Sequence, residues 1–467
     1  NKDITTKENV ENETVTLYAQ WSEKTFEVIQ GKGTEDEPFE ISDDKCIEEL
    51  NKFLKEGETF TNNYFKLTKN IELSEPIGYG EAKLNSHGYL NEPLVETAFD
   101  GHFIGNNKTV TLNLEAKDKP VQGMFACLGG NATVKNVNVK GTVEGTYYVG
   151  GIAGYSKGTI KNCTSSLSVK GKLNIGGICG YSCNNIEDCH NEGNINASPI
   201  KLNEINGGYA IGGIAGAGGR TANIKNCTNK GQIEGNGLKL GGIVGTSMGI
   251  IDDCNNKGKI STDKVQSSIG GIAGEAKEIN KCTNEGIITA EKASTVGGIV
   301  GSVVNKITDC SNTANVTGKS SVGGITGNSG SFARMLTYNS INEGNVTGES
   351  NVGGVVGYGG ASHSVNKGAI TGAKENIGGI SGFSEGNIEY SCNLGAIKAD
   401  KAKNVGGVIG NGNAIGSFSY ECSSTGKAVV PGAKAAVGEG KSDNSFYCTG
   451  PEESAITRGF INAIIFL

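Results

Sequence analysis

The residues of this chain that could do chemistry are mainly cysteines, histidines and paired carboxylates, and their spacing decides what they do. There are thirteen cysteines. Seven of them, Cys163, Cys189, Cys227, Cys254, Cys282, Cys310 and Cys422, read as one position of a repeat, which Ser340, Ser364 and Ser391 fill in three other copies. Stacked coils would hold such side chains about 4.8 Å apart and pointing the same way. A disulfide needs Cβ atoms about 3.8 Å apart on converging vectors. The expectation is therefore a ladder of reduced thiols serving as small apolar core residues. Zinc needs four ligands around a point, not one per coil in a row. Only Cys179, Cys183 and Cys189 are dense enough locally to offer a disulfide or metal as the alternative.

The four histidines, His87, His102, His190 and His363, are isolated, and none lies in a metal-ligand spacing. No GxSxG elbow or phosphate-binding loop appears. A polysaccharide lyase or glycosidase would need clustered carboxylates, as an acid–base pair or a Ca²⁺ site. Glu187-Asp188 and Asp252-Asp253 occupy equivalent turns, but neighbouring copies carry Lys161-Asn162, Lys225-Asn226 and Asn280-Lys281. That alternation reads as a solvated edge of mixed charge, with weak Ca²⁺ binding or catalysis as the alternatives. No aromatic platform for sugar rings is evident; Tyr155, Tyr181, Tyr358 and Phe383 each follow a glycine-rich element and read as stacked corner fillers, with ligand contact as the alternative. The expectation is a chain that is not an enzyme, without catalytic, cofactor-binding or metal-ligating residues.

What must position these residues is a repeat. Val149-Gly150-Gly151-Ile152-Ala153-Gly154 recurs ten times, with first glycines at 150, 176, 212, 241, 270, 297, 323, 353, 378 and 406. An interval of about 28 residues lies in the range of solenoids. A second half follows in phase, as in Ile224-Lys225-Asn226-Cys227-Thr228-Asn229. Its β-branched residues suit strands, and its Asn and Gly residues suit the corners of a coil. The glycine-rich element reads as one tightly covered strand, its glycines serving either positive φ or close backbone approach. Asn191, Asn229, Asn256, Asn284, Asn312, Asn342, Asn366 and Asn393 share one position and would form an amide ladder along the axis. Length differences must loop out, most of all at 197–209 and 329–338, where individual function would sit.

Composition supports this. Gly is 74 of 467 residues while Pro is only 7, which excludes collagen and proline-rich disorder. Three arginines and a net charge of −7 argue against a nucleic-acid partner. No run of about 18 apolar residues appears, so membrane insertion is not expected.

The opening residues end in Leu17-Tyr18-Ala19-Gln20-Trp21, which resembles the close of a Listeria–Bacteroides repeat. From Phe26 the order is strand, a helix capped at Asp43 or Asp44 with Ile47, Leu50 and Leu54 on one face, and strands at 64–67 and 70–73. Such a helix would plug the open end of a solenoid. With Phe99-Asp100-Gly101, Gly123-Met124-Phe125-Ala126 and the repeats, the chain resembles the GLUG-motif family of bacterial surface proteins over about residues 25–450.

That resemblance implies an all-β, right-handed parallel β-helix of eleven or twelve coils with a short N-terminal capping helix. The expected parts are 1–24, the tail of a preceding repeat; 25–98, an N-terminal cap; 99–426, the GLUG-repeat β-helix; and 427–467, a C-terminal cap. It implies a non-catalytic, adhesive or structural segment of a longer, secreted or surface-attached bacterial protein. A host or matrix protein or glycan would be the partner, and the fragment would be monomeric. A carbohydrate-active β-helix enzyme and the accessory region of a surface peptidase, as in IgA-cleaving relatives, are the alternatives.

Overall fold

The computed structural model describes residues 25–83, 94–115, 118–197, 210–235, 237–263, 267–330, 336–415, 417–420, 437–439, 442–443 and 446–448. Trp21 and its module, His87, Cys422, residues 198–209 and 331–335 of the two long loops, and the closing segment 457–467 lie outside them.

One coil shows how the repeat folds. Strand Ala210–Gly212 lies in one sheet; the chain then bends through Gly213 and Ile214 and continues as Ala215–Gly218 in the other. Ile224–Lys225 stays in that second layer, and Asn226 turns the corner at φ 51°. Thr228–Asn229 and Ile233–Gly235 return to the first layer. Every strand pairs in parallel with the next coil: Ala215 with Val244, Ile224 with Ile251, Asn229 with Asn256, Ile233 with Ile260 and Gly212 with Gly241. Repeated, this makes a parallel β-solenoid of about 12 turns. Its two layers comprise 22 and 31 strands among the described residues.

The corner explains the second half of the repeat. Asn162, Asp188, Asn226, Asp253, Lys281 and Asp309 all have φ between 51° and 57°. Asn and Asp adopt this left-handed conformation at the least cost after glycine, which accounts for most residues found there. The preceding isoleucines, Ile160, Ile186, Ile224, Ile251, Ile279 and Ile307, are fully buried and fill the space between the layers.

The glycine-rich element differs from the single strand expected of it. It spans a bend, with strands such as Tyr148–Val149 and Ala153–Ser156 in different layers. Close approach, not positive φ, requires the glycine pair. A Cβ on Gly213 would stand 2.1 Å from the Gly242 carbonyl oxygen and 2.3 Å from Cγ of Asn229. Gly242 meets Gly271 and Asn256 in the same way, and Gly271 meets Gly298 and Asn284. The two halves of the repeat therefore interlock: the second glycine leaves the room that the asparagine ladder occupies.

That ladder is continuous. Each side-chain Nδ2 donates to Oδ1 of the next coil at 2.8 Å, from Asn191 through Asn229, Asn256, Asn284, Asn312 and Asn342 to Asn366 and Asn393. Asn393 ends it by donating to Ser419 Oγ at 3.2 Å. The second amide proton is also used, as in the bond from Asn256 Nδ2 to the Gly258 carbonyl at 3.0 Å. All eight asparagines are buried, and pairing offsets the cost of removing their amides from water.

At the N-terminal end, helix α1 (Asp44–Lys55) is capped by Asp43, whose carboxylate accepts from the Cys46 amide at 3.2 Å. Hydrogen bonding to that amide holds the Asp43 pKa below the ordinary carboxylate range. Ile47, Leu50 and Leu54 face inward, as their spacing implies, and join one continuous core with Ile41, Leu67 and Leu73. Phe26, Phe39, Phe53, Phe60 and Phe65 pack edge-to-face or stacked around this plug. Coil pairing has already begun here, since Phe39 pairs with Phe65 and Phe65 with Phe103.

Candidate functional site

The thiol row is more polar than a set of apolar fillers. Cys163, Cys189, Cys227, Cys254, Cys282 and Cys310 are buried and reduced. The Cys227 amide points at Sγ of Cys254 at 3.5 Å and the Cys254 amide at Sγ of Cys282 at 3.4 Å. Farther along, the amides of Cys310, Ser340 and Ser364 donate to Oγ of Ser340, Ser364 and Ser391 at 3.1–3.2 Å. The position thus asks for a small side chain that accepts a corner N–H, which cysteine and serine both are. The Ser391 amide donates to Ser417 Oγ at 3.1 Å, so Ser417, not Cys422, continues the row. Burial pushes the Cys163, Cys227 and Cys282 thiols well up and Cys127 up to about 12, which leaves them poor nucleophiles. Cys179, Cys183 and Cys189 are also free: Cys189 belongs to the corner row, whereas Cys183 is half-buried beside the Tyr155 hydroxyl at 3.4 Å.

The paired carboxylates form a surface edge. Lys161 Nζ lies 3.1 Å from Glu187 and 3.5 Å from Asp188, and Lys225 Nζ lies 3.7 Å from Asp252. The hydrogen bond to Glu187 raises the Lys161 pKa. Asp188 and Asp253 turn corners at φ 54° and 53°. Among the described residues no group of three or more His, Cys, Asp or Glu is placed to hold a metal ion. His102 Nδ1 bonds Thr133 Oγ1 at 2.8 Å, and His190 is exposed on its own coil.

Two features are not legible in the spacing. One is a cleft of about 590 Å³ between α1 and the first coils, lined by Asn51, Lys55, Glu75, Tyr79, Lys119 and Gln122. Gln122 is 2% exposed and its Oε1 has no hydrogen-bond partner. The other is a third aromatic row beside the two stacks that the sequence implies. Tyr155 stacks on Tyr181 at 5.6 Å and Tyr358 on Phe383 at 5.1 Å, both pairs at 16°. These sit within strands, not at the corners expected of them. A third row, Tyr338, His363 and Tyr390, has ring centroids 5.1 and 5.2 Å apart. Tyr155 is buried, whereas Tyr338 and Tyr390 are 42% and 47% exposed. The structure therefore places three rings in a surface row that the sequence reading did not single out. Its members are 25 and 27 residues apart and differ in residue type, and Tyr338 pairs in register with Ser362, one residue before the corner that His363 and Tyr390 occupy, so stacked coils bring together side chains from two positions of the repeat.

The GLUG motif matches residues 145–170, 207–234 and 292–317. The first of these segments spans one full coil, from the bend before Tyr148 to the strand Thr164–Gly171. Among solved structures, a protein of Bacteroides ovatus described as a candidate immunoglobulin A1 protease is similar, with a TM-score of 0.34 and 16% identity over 79% of each chain. No curated protein matches the chain. GLUG motifs thus lie on a parallel β-solenoid, as the resemblance implied.

Proposed function

We propose that this GLUG-motif solenoid is a non-catalytic shaft of a bacterial surface protein, holding neighbouring modules or its own outer face toward host or matrix ligands. The observation that carries the reading is the unbroken asparagine ladder from Asn191 to Ser419. A rod in which each coil is hydrogen-bonded and packed to the next through its interior transmits load and keeps its ends apart. The inward polar side chains of the ladder are spent on one another and not held ready for a substrate. At about 4.8 Å per coil, 12 coils span roughly 60 Å.

Small-angle scattering on the chain tests the shape: a rigid rod keeps its length between low and high salt, and a salt-dependent length would refute it. The enzymatic alternative is tested by incubation with uronic-acid polymers. Intact polymers are expected; cleavage that is lost on chelation would replace the shaft with a lyase centred on the Asp252-Asp253 edge.

A further inference from the structure

The row Tyr338, His363 and Tyr390 has features that a purely structural stack does not need. The corner position occupied by His363 and Tyr390 is filled by Asn162, Asn226 and Asn339 in other coils. Asparagine tolerates positive φ there, whereas a large aromatic ring at φ 46°, as in Tyr390, is held in a conformation it disfavours. Aromatic stacking for stability alone is met elsewhere by Tyr155 and Tyr181, which are covered by Tyr148. In the exposed row Tyr338 and Tyr390 face water and His363 between them is half-buried. Strain and exposed apolar surface coincide at Tyr390.

We infer that this row is a binding platform for a neutral polysaccharide lying along the solenoid axis, with pyranose rings stacked on Tyr338 and Tyr390. The ring centroids lie 5.1 and 5.2 Å apart with planes tilted by 48° and 42°, a spacing close to the length of one pyranose unit. The C–H face of a sugar packs on an aromatic ring, while its rim of hydroxyls requires polar neighbours. The phenolic hydroxyls supply these, and His363 contributes an imidazole whose Nδ1 is held by Ser362 Oγ at 2.8 Å. Among the described residues the row carries no Lys or Arg. Glu389 adjoins Tyr390, and Lys367 is engaged with Glu343 at 2.8 Å, so the local charge disfavours acidic polymers, as does the net charge of −7. The inference rests on the shaft reading in one respect, that the glycan is held and not cut.

The test is electrophoresis of the whole chain through gels cast with β-glucan, xylan, galactan or mannan, and with chondroitin sulfate as the acidic polymer. At least one neutral polymer is expected to retard the chain. Tyr390→Asn installs the corner residue of other coils, so its thermal stability should be equal or higher while binding weakens about tenfold or more. Tyr338→Ala should lose binding likewise, and Val304→Ala, which removes an exposed side chain elsewhere, should not. Retardation by no neutral polymer, by chondroitin sulfate alone, or undiminished in Tyr390→Asn would overturn the inference. Product analysis of the same polymers separates its failure from that of the shaft: degraded polymer refutes the shaft, and intact, unbound polymer refutes only the platform.

Discussion

Replacing Asn256 by aspartate tests whether the ladder is a directed hydrogen-bond chain. Asn256 Oδ1 accepts from Asn229 Nδ2 at 2.8 Å and from the Gly258 amide at 3.2 Å. Its Nδ2 donates to the Gly258 carbonyl at 3.0 Å and to Asn284 Oδ1 at 2.8 Å. Asn256→Asp keeps shape and both acceptances but turns an oxygen toward two oxygens. Reversing the Asn284 amide would relieve one contact only by breaking its bond to Asn312 at 2.8 Å, and so on down the row. The substituted carboxyl should therefore stay protonated in the folded state. Burial raises such groups by about three to five units, and three units amount to about 4 kcal/mol.

A folded-state pKa above the unfolded value of about 3.9 means the charge penalty is absent below that pH. Stability is then lost as pH rises toward the folded pKa, and the loss is constant above it. Urea unfolding of both proteins at pH 3 and pH 8 should show a deficit of roughly 1 kcal/mol in acid, for one lost donor, and about 4 kcal/mol more at pH 8. Hydrogen exchange should show the Gly258 amide and its neighbours in adjoining coils losing protection. An equal deficit at both pH values would refute the directed chain.

Gly242→Ala should cost at least about 1–3 kcal/mol in urea, because the added methyl would meet the Gly271 carbonyl at 2.1 Å and Asn256 Cγ at 2.2 Å. Cys282→Ser should unfold within about 1 kcal/mol of the parent and Cys282→Ala should be the less stable of the two, since only serine can still accept the Cys254 amide. Thiol labelling mapped by mass spectrometry at pH 8 should leave Cys163, Cys227 and Cys282 unmodified until the chain is unfolded, as burial holds their pKa values well up. Asp43→Ala should lower stability by about 1 kcal/mol above the carboxylate range. That difference should shrink in acid: Asp43 has a depressed folded-state pKa, so its contribution is lost as pH falls through it.

The fold was legible because it is periodic. Ten glycine pairs in phase with an Asn and a Cys or Ser position imply coils stacked in register, and register alone places the asparagines in a column. The capping helix was legible for the same local reason, an acidic N-cap followed by apolar residues at helical spacing. Local pattern could not show that Gly150-Ile152 is a bend between layers, because alternation looks the same in a strand and across a corner whose two sides are both buried. Nor could it show that the thiols accept backbone N–H groups, or that Ser417 follows Ser391 in the row once the spacing changes. Tyr338, His363 and Tyr390 had no common motif to betray them: each is an exception to its own coil. Sequence by itself determined the coil, its interior columns and its plug, since these follow from residue types repeated at one period. Tertiary structure decided which exceptions share a surface, because adjacency along the axis joins residues whose separation in the chain varies with every loop.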